Sequence, residues 1–261
     1  MKRHPDLEPP IVSVIIPAYN ASTTLRACLD SIRSQSLCEW EAIIVDDGST
    51  DSTSDIVKEI QKQDPRFRLI VQKNMRQGAA RNAGIEVARG KYIALLDADD
   101  ISSPNRLDVQ VRFLENNKIV TVLGGARIDI DANTGKETGV FGGAGEHSVL
   151  CADIFTKCPF STSTVMARRG FFDKRRFSTH LLHSEDHDLW LRSYLGKDVN
   201  FHNLQIPLVI YRKRRRMSWR HYREISRIYY DALVREGRWP RDGWYAIRPL
   251  IAALWFNPFA R

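Results

Sequence analysis

Gly90-Lys91-Tyr92-Ile93-Ala94-Leu95-Leu96-Asp97-Ala98-Asp99-Asp100 is the stretch whose reading decides the fold. An unbroken apolar run, Tyr92 to Leu96, ends in three carboxylates within four positions. So short a run without alternation suits a strand buried on both faces of a parallel sheet. Asp97 and Asp99 then fall at the strand's carboxyl end, where open α/β sheets bind their ligands. In an extended segment residues i and i+2 point the same way, so the two carboxylates can converge on one point. Held close, they repel unless a cation or a proton lies between them. A hard divalent cation shared with phosphate oxygens meets that need. A solvated acidic loop is the plainer alternative, because Asp is common in turns. The neighbouring stretches favour the site.

Upstream, Ile11 to Ile16 is apolar and β-branched and stops at Pro17-Ala18-Tyr19-Asn20. This predicts a first strand and its loop. A helix follows, capped by Asn20 or Ser22, with Leu25, Cys28, Leu29 and Ile32 on its buried face. A second strand, Ala42 to Val45, stops at Asp46-Asp47-Gly48-Ser49-Thr50-Asp51, again carboxylates at a strand end. Ile56, Val57 and Ile60 continue into a helix. A third strand, Phe67 to Val71, leads to Gln77-Gly78-Ala79-Ala80-Arg81-Asn82-Ala83-Gly84. Its small residues let a helix pack closely, and Arg81 sets a positive charge near the same edge. Strand and helix thus alternate through the first hundred residues, which implies a parallel, doubly wound sheet. No G-x-G-x-x-G or G-x-x-x-x-G-K-[ST] is present, so phosphate does not rest on either glycine cradle. Strand-end carboxylates without a cradle suggest a metal-bridged diphosphate.

The stretches Val14–Asn20, Asp46–Asp51, Gln77–Gly84 and Asp97–Asp100 resemble, in order and spacing, the inverting family 2 glycosyltransferases of the GT-A fold. The resemblance is close over residues 11 to 115 and continues in patches to 212. It implies an α/β, GT-A (Rossmann-like), doubly wound and mostly parallel sheet with a helical C-terminal extension. It further implies a nucleoside diphosphate sugar donor, with a UDP-sugar expected, and a glycan or lipid-linked acceptor. Pro17, Ala18 and Tyr19 would line the nucleotide, with Tyr19 stacked on the base. Asp46 or Asp47 would take a base N–H, and Arg81 would lie near the nucleotide. Asp97, Ala98 and Asp99 would form the Asp-x-Asp site for manganese or magnesium, with Asp99 the firmer metal ligand. A packed loop aromatic and a helix-surface charge are the plain alternatives for Tyr19 and Arg81.

In the second half Pro104 opens a helix with Leu107, Val111 and Leu114 at helical spacing. Val120–Leu123 and Arg127–Ile130 are expected as strands, with a hairpin turn at Asp131–Gly135. Gly142–Gly145 is expected as a flexible loop, a candidate lid. Ser184-Glu185-Asp186-His187-Asp188-Leu189-Trp190 is the second chemical stretch. Acidic residues at a helix start are stabilised by the helix dipole alone. By resemblance to the family's Glu-Asp motif, Asp186 is the general base and Glu185 a positioning carboxylate; His183 and His187 are expected to be exposed or structural. After Tyr211-Arg212 many family members carry a His. Here Lys213 to Arg216 stand in its place, and a basic side chain there could neutralise a leaving diphosphate instead.

The tail from Trp219 lies outside the resemblance. Tyr222, Ile225, Ile228, Tyr229 and Leu233 share one helical face, with Arg220, Arg223 and Arg227 on the other. Basic residues among aromatics suit a membrane interface; a helix packed on the catalytic domain is the alternative. The expected organisation is a tail at 1–10, a catalytic domain at 11–212 (halves 11–115 and 116–212) and an extension at 213–261. Net charge is +8 with a pI near 9.4, which suits anionic partners, yet no nucleic-acid motif is present. Four cysteines without C-x-x-C spacing suggest reduced, packed thiols in the cytoplasm. An early signal peptide is not expected, because Asp6, Glu8, Pro9 and Pro10 interrupt the start. No stretch reaches the roughly 18 apolar residues of a span. The expected location is cytoplasmic, peripheral on the inner face of the membrane. The rival readings are a sugar nucleotidyltransferase, which would want a Gly-rich basic loop after the first strand, and a non-catalytic nucleotide-binding module.

Overall fold

The computed structural model describes residues 9–142, 145–152, 154–155, 157–213 and 218–256 of the chain. Strand and helix alternate from the start: β1 (Val12–Ala18), α1 (Leu25–Arg33), β2 (Trp40–Asp46), α2 (Thr53–Gln63), β3 (Phe67–Val71), α3 (Arg76–Glu86) and β4 (Tyr92–Leu95). These strands pair in parallel in the order β3-β2-β1-β4. Ala18 lies opposite Asp46, and Ile15 opposite Leu95. The register therefore brings the loops after β1, β2 and β4 to one edge of the sheet.

β1, β2 and β4 are buried on both faces, whereas β3, at the sheet edge, is only partly buried. Ile15, Ile43, Val45, Ile93 and Leu95 pack with Ala80 and Ile85 of α3 on one side. Val14, Ile16, Ile44 and Ala94 pack with Leu25 and Leu29 of α1 and Val57 of α2 on the other. Period-two side-chain alternation divides the run between two cores, which is the doubly wound arrangement. Gly84 lets α3 approach β1: a Cβ there would come within 2.7 Å of Ile15 Cγ2.

The second half adds β5 (Ile101–Ser102), α4 (Arg106–Asn116), β6 (Val122–Asp131), β7 (Glu137–Phe141), α5 (His147–Ala152), β8 (Met166–Arg168), α6 (Arg169–Lys174), α7 (Glu185–Leu195) and β9 (Phe201–Lys213). The nine-stranded sheet continues from β4 as β8-β6-β9-β5, with β7 on β6. Here β8 runs antiparallel to both neighbours, whereas β6 and β9 are parallel. Two C-terminal helices follow, α8 (Trp219–Arg235) and α9 (Trp244–Phe256). Trp190 of α7 is fully buried, edge-on to Phe160 at 5.2 Å and stacked on Phe171 at 5.9 Å.

Several expectations need correction. Val122–Leu123 and Arg127–Ile130 belong to one strand, β6, which begins two residues later than expected. Gly124 and Gly125 pass through it because neighbours fill the Cβ positions, Asn203 Oδ1 at 2.2 Å and Leu208 Cδ1 at 2.3 Å. Neither Asn20 nor Ser22 caps α1, which begins later, after Thr24. Instead Asn20 Oδ1 accepts from Thr50 N, and Ser22 N donates to Asp51 Oδ2, so the loops after β1 and β2 are tied together. Gly143 and Ala144 of the expected lid lie outside the described residues. Beside them Gly142 sits against Ala126, and the Gly145 carbonyl accepts from Asn203 N. Arg214–Arg216 also lie outside the described residues. Lys213 is turned toward Asp129, at 3.9 Å, and not toward the strand-end carboxylates. All four cysteines are free thiols.

Candidate active site

A cavity of about 560 Å³ opens at the carboxyl edge of β1, β2 and β4. Pro17, Ala18, Tyr19, Asp47, Ala98 and Asp99 line it, and Asp97 stands at its inner end. Tyr19 is 52% exposed, so its ring is an open platform at the rim and not a packed loop aromatic. The two carboxylates after β2 part ways. Asp46 turns into its own loop, where Oδ1 accepts from Ser49 N at 2.8 Å and Oδ2 from the Ser54 hydroxyl. Asp47 stays in the lining, with Oδ1 held by Gln72 Nε2 at 2.7 Å and Met75 N at 2.8 Å. Asp46 therefore shapes the loop, and Asp47 is the carboxylate available to a ligand.

Asp97 is held from α3. Its Oδ1 accepts from Gln77 Nε2 at 3.0 Å and from Arg81 Nη2 at 2.8 Å. The other arm of the same guanidinium, Nη1, donates to Glu185 Oε1 at 2.5 Å. Arg81 is only 2% exposed, and Phe177 lies 5.2 Å from its guanidinium carbon. Burial opposes its charge, but Asp97, Glu185 and Asp186 outweigh burial and hold Arg81 above its ordinary value. Arg81 is thus a buried tie between two carboxylates, and not a helix-surface charge.

Asp100, below Asp97 and Asp99, is fully buried, with Oδ1 accepting from Arg212 N and no partner for Oδ2. Burial, with Asp97 and Asp99 beside it, pushes its carboxyl well above the usual carboxylate range. The chain thus concentrates carboxyl groups at this strand end. Among the described residues no group of three or more His, Cys, Asp and Glu side chains forms a complete metal cage. A magnesium-type ion needs less, since one or two carboxylates plus phosphate oxygens and water suffice. Asp99 and the remaining oxygen of Asp97 fit that requirement.

A second cavity, of about 580 Å³, meets the first at Gln77 and Asp97. Glu185 and Asp186, at the start of α7, line it. Burial, with Arg81 opposing it and Asp186 adding to it, raises the Glu185 carboxyl above its usual value. Asp186 is more open: Oδ2 accepts from the Thr162 hydroxyl at 2.7 Å and Oδ1 from His187 N at 2.7 Å. Asp188, two residues on, is bound to the Ser178 hydroxyl and to Arg192, and it does not line the cavity. Burial lowers the His187 pKa. Its Nε2 lies 2.9 Å from the Tyr229 hydroxyl, so it ties α7 to α8. His183 is exposed at the junction and stacks on His221, ring centroids 5.6 Å apart.

The far wall of this second cavity comes from α8 and α9, through Ile225, Tyr229, Arg248, Pro249 and Ala252. Ile225 and Tyr229 belong to the helical face read from the sequence, whereas nothing there singled out Arg248, Pro249 or Ala252. Thr162 was also missed; its signal is the small polar run Ser161-Thr162-Ser163-Thr164 before β8. Burial and the nearby Asp100 push the Tyr211 phenol up to about 12, so it lines the same cavity as a neutral group.

The family model described as Glycosyl transferase family 2 matches residues 13–194. The chain is 36% identical over 265 residues to the putative glycosyltransferase EpsE of Bacillus subtilis (strain 168), covering 96% of this chain and 91% of the relative. It is 33% identical over 204 residues to the UDP-Glc:alpha-D-GlcNAc-diphosphoundecaprenol beta-1,3-glucosyltransferase WfaP of Escherichia coli, covering 77% of each. Some matches are partial: the putative glycosyltransferase EpsH of Bacillus subtilis (strain 168) is 45% identical over 106 residues, which is 41% of this chain and 31% of the relative. Among solved structures, S. aureus TarS 1-349 in complex with UDP superposes with a TM-score of 0.71 at 20% identity, over 94% of this chain and 72% of that one. The mannosyltransferase PcManGT from Pyrobaculum calidifontis, in complex with GDP-Man and Mn2+, gives 0.64 at 18% identity, over 98% and 79%.

Proposed function

The chain belongs to glycosyl transferase family 2, and from that premise we propose that it moves one sugar, with inversion, from a UDP-sugar to a hydroxyl of a lipid-linked glycan. The observation that carries this reading is the meeting of two cavities at Asp97, one lined by the strand-end loops and the other by Asp186. The WfaP relative, named for a UDP-Glc donor and a diphosphoundecaprenol-linked acceptor, supports the choice of substrate classes. So does the UDP complex of TarS.

The donor occupies the first cavity. Tyr19 offers a stacking face to the base, and Asp47 Oδ2 is the oxygen left to take a base N–H. Asp99, helped by Asp97, would hold manganese or magnesium, whose charge would offset that of the leaving diphosphate. Arg81 fixes Asp97 in place and keeps Glu185 in register with it. The acceptor hydroxyl enters from the second cavity, on the face of the anomeric carbon opposite the diphosphate. Asp186 takes the hydroxyl proton as the new C–O bond forms and the bond to the diphosphate breaks; the bonding pair leaves with the diphosphate. Thr162 and the His187 amide orient the Asp186 carboxylate. Glu185 has one oxygen committed to Arg81, which suits it to positioning more than to proton transfer.

The exposed face of the tail supports peripheral attachment to a membrane. Among the described residues no helix is long and apolar enough to cross one. Trp239, Trp244 and Ile247 are 39%, 59% and 46% exposed, near the exposed Arg241 and Arg248. The organisation into a catalytic unit at 11–212 and an extension at 213–261 is retained with one qualification: α8 is packed into the unit through Tyr229 and Leu233.

A thermal-shift panel of nucleotide sugars with manganese, followed by release of nucleotide without acceptor, tests the reading. A UDP-sugar should stabilise the protein and be slowly hydrolysed. Indifference to every nucleotide sugar, in shift and in hydrolysis, would overturn it.

A further inference from the structure

The C-terminal helix pair forms one end of the second cavity, and its chemistry differs from that of the catalytic end. At the catalytic end stand Asp97, Glu185 and Asp186. At the other end Phe155, Ile225, Pro249 and Ala252 present apolar surface. Between them runs an ordered path. Asp186 is followed by His187, His187 lies 2.9 Å from the Tyr229 hydroxyl, and Arg248 stands close enough for its charge to act on that phenol. Arg248 is exposed and has no ion-pair partner among the described residues. Arg227 and Arg238 pair with Asp231 and Asp242, whereas Arg248 lines the cavity.

We propose that this end of the cavity is a binding subsite for a lipid diphosphate, with Arg248 gripping the phosphate and the apolar wall of α8 and α9 holding the first part of the hydrocarbon chain. The subsite rests on the glycosyl-transfer reading and names the acceptor's carrier. A guanidinium suits a phosphate because its planar donor fork meets two oxygens at once. A ligand that carries only one of the two chemistries would leave either the guanidinium or the apolar wall without a partner. An anionic headgroup with a hydrocarbon tail satisfies both. The geometry also accounts for the outer surface of the same helices. With Trp244 and Ile247 against a bilayer, the chain would enter the cavity between α8 and α9 while the sugar reached Asp186. A free glycan would have no use for this wall.

The test uses the full chain, saturated with UDP so that the donor cavity cannot take the probe. Binding of farnesyl diphosphate is measured by calorimetry beside inorganic pyrophosphate and farnesol. Farnesyl diphosphate should bind at least tenfold more tightly than either fragment. Arg248→Ala should weaken it by about ten- to a hundredfold, the range for loss of a hydrogen-bonded charge. Arg248→Lys should recover part of this, and Ala252→Trp, which fills the apolar end, should weaken it with Arg248 intact. UDP binding and acceptor-free hydrolysis should be unchanged in all three variants. Equal affinity of wild type and Arg248→Ala, pyrophosphate binding as well as farnesyl diphosphate, or loss of the probe on UDP saturation would each overturn the subsite. Acceptor-free hydrolysis separates the two readings: where it persists and the probe fails, only the subsite falls; where it is absent from wild type, the glycosyl-transfer reading itself is in question.

Discussion

Arg81 and Glu185 stand 104 residues apart in the chain and meet at 2.5 Å, guanidinium Nη1 to carboxylate Oε1. Both side chains are almost fully buried. The second arm of the guanidinium holds Asp97, so a single side chain couples the strand-end loop of the donor cavity to the first turn of α7. Gly78 makes room for this: a Cβ there would come within 2.6 Å of the Ser178 carbonyl and 3.4 Å of Glu185 Cγ. The Asp97 loop and the first turn of α7 are thereby kept in register by an ion triad whose guanidinium is almost fully buried.

Removing one member of a buried pair leaves an uncompensated charge, which costs about 3–5 kcal/mol. Arg81→Ala is expected to lower unfolding stability by about that amount. Arg81→Lys should lie in between, since one ammonium cannot bridge both carboxylates as a fork does. Arg81→Met combined with Glu185→Leu should regain much of the loss. Urea unfolding of the set checks this; losses below about 1 kcal/mol in Arg81→Ala would mean the triad is solvated.

Stability should fall in mild acid. Burial lowers the pKa values of His147, His187, His202 and His221. Below about pH 6.5 the unfolded chain then binds protons that the folded chain refuses. The unfolded state gains by the difference, so stability is present above that pH and is lost as pH drops. Each such histidine steepens the dependence by up to about 1.4 kcal/mol per pH unit. Urea midpoints between pH 7.5 and 5 should decline, and His187→Gln should flatten the decline. An unchanged slope in that variant would show that His187 binds its proton equally well in the folded and unfolded chain.

Metal dependence is expected to run through Asp99. Chelation with EDTA should abolish transfer, and manganese or magnesium should restore it. Asp99→Asn should need far more metal for donor binding, whereas Asp46→Asn should mainly loosen the Ser49–Ser54 loop. Donor titrations across a metal series separate the two; wild-type metal behaviour in Asp99→Asn would move the site elsewhere.

The exposed aromatics of the tail should hold the protein on anionic vesicles in low salt. Each basic residue near such a surface contributes about 1 kcal/mol, and raising ionic strength should release the protein. Deleting the tail is a poor test, because Tyr229 and Leu233 are buried in the catalytic unit. Trp244→Ser with Ile247→Ser leaves the core intact. Co-sedimentation of that variant equal to wild type would count against attachment.

Much of this architecture was legible because burial on both faces leaves a plain mark: Ile11–Ile16, Ala42–Val45 and Tyr92–Leu96 are apolar without alternation, and each stops within two residues of one that lines the first cavity. The second half was less legible for physical reasons. Gly124-Gly125 resembles a turn, and only the crowding by Asn203 and Leu208 explains why a strand passes through it. Pro207 lies in β9 where the register with β6 shifts, which hid the length of that strand. Asp46 and Asp47 are chemically equal, and only the hydrogen bonds of Ser49 and Ser54 separate them. The role of Arg81 needed a partner 104 positions away, and so did the cavity wall from α8 and α9.

The proton-transfer assignment is the most exposed to test, because three carboxylates lie within four residues of α7. Their surroundings differ. Glu185 is committed to Arg81, and Asp188 to Ser178 and Arg192. Asp186 alone of the three lines the second cavity without an ion-pair partner among the described residues, accepting only from Thr162 and the His187 amide. Asp186→Asn keeps the size and loses the base, so turnover should fall by about 10² to 10⁴ while donor affinity holds. Asp188→Asn should cost stability and little turnover. Thr162→Val removes one hydrogen bond to the carboxylate, so it should raise the pH at which turnover sets in and leave donor affinity unchanged. Steady-state kinetics of the three variants over a pH series decide the matter. Near-wild-type turnover in Asp186→Asn would pass the role to Glu185, and the Arg81 tie would then have to open during the reaction.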